Sequence, residues 1–78
     1  GMDYSRLFEV TATNVELASE DESYAIFRST ETGEKELLKQ ARETRFLVRD
    51  VNPDREQLWF DVCDSEGRAC RYGKSLPM

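Results

Sequence analysis

The segment from Leu58 to Tyr72 constrains this chain more than any other. Leu58-Trp59-Phe60-Asp61-Val62-Cys63 is a run of strand formers. Asp64-Ser65-Glu66-Gly67-Arg68 follows it, and then Ala69-Cys70-Arg71-Tyr72. Two short apolar runs around a Gly-containing break predict a β-hairpin. A two-residue Glu66-Gly67 turn would force Glu66 to positive φ, which costs a residue that carries a Cβ. A type I turn with Asp64 first and Gly67 fourth, in the left-handed conformation, has no such penalty. That turn places Asp64 opposite Arg68 and predicts the pairs Val62 with Cys70, Asp61 with Arg71, and Phe60 with Tyr72. Leu58, Phe60, Val62, Cys70 and Tyr72 then share a core face. The other face carries Trp59, Asp61, Cys63, Ala69 and Arg71.

Two chemical expectations follow from this register. Cys63 and Cys70 fall on opposite faces, too far apart for a disulfide. Cys70 is expected as a buried small hydrophobe and Cys63 as a partly exposed thiol. Trp59 is aimed away from the core face. An outward Trp is either a binding platform or an extra packing group under the N-terminal strand, and a small domain has use for both.

Upstream, Phe8, Val10 and Ala12 alternate with Glu9 and Thr11, the period of a half-buried strand. The alternation breaks at Asn14 and resumes at Val15 and Leu17, which suggests a bulge or bend. Residues 19–23 form an acidic loop, Tyr24 to Phe27 a short strand, and Thr30-Glu31-Thr32-Gly33 a turn. Glu34 to Arg45 reads both ways: its residues are strong helix formers, and Leu37, Leu38 and Ala41 share one helical face. That stripe is thin, and Thr32 lacks the Glu or Gln three residues on that completes a capping box. Phe46 to Val51 is a further strand, ended by Asn52-Pro53-Asp54.

At 78 residues the chain is one domain, 1–78. Gly1 directly before Met2 reads as a cleavage scar. Asp3 onward shows neither a basic nor an apolar export region, so the expected compartment is the cytoplasm, with reduced cysteines. The net charge of −5 opposes binding to a phosphate backbone. Arg42, Arg45, Arg49, Arg68 and Arg71 therefore read as a solvated face, and nucleic-acid binding is the least favoured function. No run is long and apolar enough to span a membrane as a helix. There is no histidine, no C-x-x-C and no Gly-rich phosphate loop. The commonest general base and the commonest metal ligand are thereby removed. The expectation is a non-enzyme with no metal and no cofactor.

In their order and spacing, several of these motifs resemble SH3-like barrels: Ala25-Ile26-Phe27, Thr30 to Glu34, Glu36-Leu37, Phe46-Leu47-Val48, Trp59 to Val62, Gly67-Arg68 and Gly73 to Leu76. The likeness covers roughly Ser23 to Leu76. A different alignment, of Val10-Thr11-Ala12 and Asn14-Val15, is similar to the opening of bacterial SH3 repeats. The resemblance implies that Trp59 lines a ligand groove, with Glu31 and Glu34 beside it. Ser29 and Leu76 stand where SH3 domains usually carry tyrosines, and Gly73 replaces a proline. These departures fall on the groove for proline-rich peptides and leave the barrel intact. Arg42-Glu43 replaces the diverging-turn glycine, which keeps a helix open as an alternative.

The resulting expectation is a mainly β domain, an SH3-like barrel of five to six strands with room for a short helix within 34–45. The alternative is an α+β fold with strands, one helix and a three-stranded meander. The expected function is a protein- or peptide-binding module using Trp59, Glu31, Glu34 and Asp61. The alternative is a structural or regulatory homo-oligomer, such as a homodimer joined by a strand edge or by the Trp59 face.

Overall fold

A computed structural model describes residues 6–11, 15–30, 32–51 and 55–76. Within them the chain is mainly β. There are six strands: β1 Arg6–Thr11, β2 Glu22–Ser29, β3 Lys35–Ala41, β4 Arg45–Val51, β5 Gln57–Asp64 and β6 Lys74–Leu76. They form a four-stranded antiparallel sheet in the order β3-β2-β5-β6 and a two-stranded sheet of β1 and β4. No ladder joins the two sheets among the described residues, so the expected closure into one barrel is not seen.

The core lies between the two sheets. Tyr24 and Ile26 of β2 and Leu58, Phe60 and Val62 of β5 alternate onto one face, and Phe46 and Val48 of β4 cover it. Val15, Leu17, Leu38, Ala41 and Leu76 pack around the rim. Val15 and Leu17, expected to continue a strand, instead run across this edge, and Val15 accepts a 3.0 Å hydrogen bond from the Tyr24 hydroxyl. The bulge expected at Asn14 lies outside the described residues.

Residues 35–41, expected to have room for a helix, are strand β3. Three apolar residues cannot bury a helical stripe deeply, whereas pairing with β2 satisfies one side of the backbone throughout. The register slips between Ile26 and Phe27, where Leu38 is the extra residue of a bulge. The slip puts both Leu38 and Ala41 against the core, which a regular strand would not do because the two are an odd number of residues apart. Arg42 follows β3 and donates to the carbonyls of Ser19, Glu20 and Glu22, so one guanidinium organises the acidic loop.

Two expected turns are present. Gly33 lies at φ 84° and its N–H donates to Thr30 O at 3.0 Å. Gly67, at φ 80°, donates to Asp64 O at 3.1 Å, while the Asp64 N–H bonds Arg68 O at 2.7 Å. The Asp64 side chain also accepts from the Glu66 and Arg68 amides, each at 2.8 Å. The type I turn and the Asp64–Arg68 pair are therefore as expected.

Beyond Arg68 the expected register fails. Ala69 adopts φ 52°, a left-handed conformation that inserts one extra residue into the returning chain. The Arg71 N–H accordingly bonds Val62 O, so Arg71 faces Val62, and Cys70 faces Cys63. By β6 the partner of Phe60 is Lys74. Residues 69–72 form no regular strand. Arg71 pairs with Glu22 at 2.7 Å instead of with Asp61. The Phe60 and Tyr72 rings still meet edge to face, with centroids 5.7 Å apart.

Candidate functional site

The shifted register corrects the reading of the cysteines. Cys63 and Cys70 form a disulfide, with Cα atoms 4.0 Å apart. Cys63 is fully buried, whereas Cys70, expected in the core, is exposed. One extra residue at Ala69 moves Cys70 across the sheet onto the face of Cys63, since side chains alternate with period two.

That face lies opposite the core, and β5 presents Trp59, Asp61 and Cys63 on it. Leu37, Phe27, Trp59 and Ser75 are register partners in one row across all four strands. Trp59 is half-buried. Its ring carries the Lys35 ammonium 4.1 Å from the centroid, and its indole N–H donates to Ser29 Oγ at 2.8 Å. The Trp is therefore fixed at its polar end by Ser29 and overlain at its ring by the Lys35 ammonium. Leu37 is 37 % exposed at the edge of the same row. Gly67 leans on it closely: a Cβ there would lie 2.9 Å from Leu37 Cδ2.

The next row holds buried polar groups. Asp61 is 9 % exposed, and its Oδ1 accepts from the Val62 amide at 2.8 Å and the Tyr72 amide at 2.9 Å. This carboxylate ties the irregular segment 69–73 back to β5. Ser23, also buried, accepts from Gln40 Nε2 at 2.9 Å, and that nitrogen also donates to Asp64 O. Every buried side-chain nitrogen and oxygen among the described residues has a partner.

Of the four expected site residues, Trp59 and Asp61 share this face. Trp59 is half-buried, while Asp61 is directed into backbone amides. Glu34 is exposed in the loop before β3, and Glu31 lies outside the described residues. Residue-by-residue reading missed Phe27, Ser29, Lys35 and Leu37. Phe27 and Ser29 reach Trp59 through the β2–β5 pairing, and Lys35 and Leu37 join them through the β2–β3 pairing, which is invisible while 34–45 is ambiguous.

Two further features lie elsewhere. Glu22, bonded by the Arg71 side chain and by the Ala18 amide, has its carboxyl lowered from 4.5 to about 2. An open groove on the β3–β4 side is lined by Leu38, Lys39, Phe46, Leu47, Val48 and Arg49, and Lys39 Nζ bonds Leu47 O across it.

No protein-family model, curated protein or solved structure matches this chain. No helix among the described residues is long and apolar enough to cross a membrane.

Proposed function

We propose that the chain is a small, non-enzymatic module that binds a protein or peptide partner through the row Leu37, Phe27 and Trp59. The observation that carries this reading is the placement of Trp59. It sits half-buried on the face of the sheet opposite the core, anchored at its N–H by Ser29 and with the Lys35 ammonium over its ring. A fixed aromatic surface of this kind gains contact area at small entropic cost. Lys35 at its rim favours a partner with acidic or carbonyl groups near an apolar anchor.

An SH3-like relationship stays part of the proposal, resting on the motif order and on the position of Trp59. The mode of binding would differ from the family's, because Ser29 already occupies the indole donor. Cytoplasmic residence is likewise a proposal, and there thiol reductants would act on the Cys63–Cys70 pair.

The test is selection of a random peptide library on the immobilised protein, with binders mapped by amide chemical shifts. Binders should perturb residues 27, 35, 37 and 59 and lose affinity about tenfold or more with Trp59→Ala, the scale of a hot-spot truncation. Binders that tolerate Trp59→Ala and map to the other face would refute the assignment.

A second reading, the homo-oligomer, is favoured by the free edge of β3. This seven-residue strand has no described partner on its outer side, and Leu37 is exposed on it. Light scattering that gives a monomer at all concentrations would remove it.

A further inference from the structure

We propose that Asp61, Cys63 and Cys70 form a redox-gated site for a thiophilic divalent cation of the zinc class. Each residue offers one ligand atom, and the three atoms lie within 4.8 Å of one another. The two sulfurs are disulfide-bonded, which closes the site. A thiol reductant opens it: two of its thiols become a disulfide, and their two electrons and two protons convert Cys63–Cys70 to a pair of thiols. A divalent cation then displaces both thiol protons to solvent and forms two metal–sulfur bonds. Zinc–sulfur bonds of about 2.3 Å in tetrahedral geometry need sulfurs about 3.8 Å apart, a separation that side-chain rotation alone supplies between facing residues.

The third ligand is already oriented. Asp61 Oδ1 accepts two backbone amides, which fixes the carboxylate plane, as an outer-shell contact does for a metal ligand. The two amides engage Oδ1 alone, and Oδ2 lies beside Gly73, where a Cβ would make an ordinary 3.5 Å contact with it. Cys63 is fully buried and Asp61 nearly so, while Cys70 is exposed, so a cation held by the three would be shielded on the sheet side and reached by solvent on the other. Two sulfurs, one oxygen and one solvent position complete four-coordination. The Cys spacing alone suggests no such site, because its third ligand sits on the strand before the turn and its geometry depends on the Ala69 bulge.

The experiment uses Co(II), then Zn(II), added to the intact protein after phosphine reduction without oxygen. The expected result is one Co(II) per chain with a thiolate-to-cobalt absorption band, displaced by Zn(II) and absent from the oxidised protein. Asp61→Asn keeps an oxygen acceptor for the two amides but removes the anionic ligand. It should weaken Co(II) binding by about tenfold or more, the scale typical of a damaged metal site. Zinc-edge X-ray absorption of the reduced wild type adds a reading that does not depend on any variant folding, and should show sulfur and oxygen shells together. The proposal is overturned by no band in the reduced protein, by half a metal per chain, by unchanged affinity in Asp61→Asn, or by a shell without sulfur or with sulfur alone.

Discussion

The two faces of the four-stranded sheet are built on different physics. The face under β4 is centred on an apolar cluster, with Tyr24, Ile26, Leu58, Phe60 and Val62 closed by Phe46 and Val48. Its stability comes from area removed from water and from close packing. The opposite face buries Ser23, Ser29, Asp61 and Cys63 beside Ala25 and a half-open Trp59. There each polar group has a partner, and a covalent bond replaces part of the missing apolar contact. The first arrangement tolerates many sequences with the same pattern. The second depends on particular atoms, and the surface groups able to recognise a partner or hold a cation lie on it.

The sharpest test of this contrast is truncation on the apolar face. Ile26→Ala should cost about 2–5 kcal/mol, read from the urea midpoint, because Ile26 is fully buried at the centre of the apolar cluster. A cost well below that range would mean that the apolar face is not the main source of stability. Next in size is the disulfide. Replacing both Cys63 and Cys70 by Ser should lose about 2–3 kcal/mol, the scale for closing a short loop. A null effect would show that Asp61 and the turn hold segment 69–73 unaided. Ser29→Ala leaves the indole N–H of Trp59 without its acceptor and should cost about 1 kcal/mol, with a shift in Trp emission. Unchanged emission would mean that Trp59 does not rest on Ser29.

The smallest effect is a pH dependence outside both faces. The folded Glu22 carboxyl is held near 2, below its ordinary 4.5, first by the Arg71 side chain and then by the Ala18 amide. A depressed carboxylate stabilises the fold fully above the unfolded value, and that contribution fades as pH falls from about 4.5 toward 2. Glu22→Gln should lower stability most near neutrality, flatten the profile between about pH 4.5 and 2, and converge with the wild type at the acid end. Arg71, raised by the same contact, stays charged throughout.

Local signals carried the sequence reading as far as local physics decides structure. The alternation in β5, the Asp64–Gly67 turn and the outward aim of Trp59 were all legible, since each depends on residues within one turn or strand. The strand at 35–41 was not. Its composition favours a helix, and only pairing with β2 and the Leu38 bulge decide otherwise. The disulfide was hidden for a related reason. Ala69 carries no sequence mark of a left-handed conformation, yet one residue inserted there reverses which face Cys70 occupies. On the candidate site, Trp59 stood out by itself. Phe27, Ser29, Lys35 and Leu37 became its neighbours only through strand pairing.

The bulge at Ala69 is the point on which the polar face depends, and nuclear Overhauser contacts across the hairpin test it directly. The structure predicts a strong contact between the Hα atoms of Cys63 and Cys70, as in a closely spaced antiparallel pair, with the Arg71 amide protected from exchange by Val62 O. Cross-strand contacts that pair Cys70 with Val62 and Arg71 with Asp61 would contradict it, and would return the two cysteines to opposite faces.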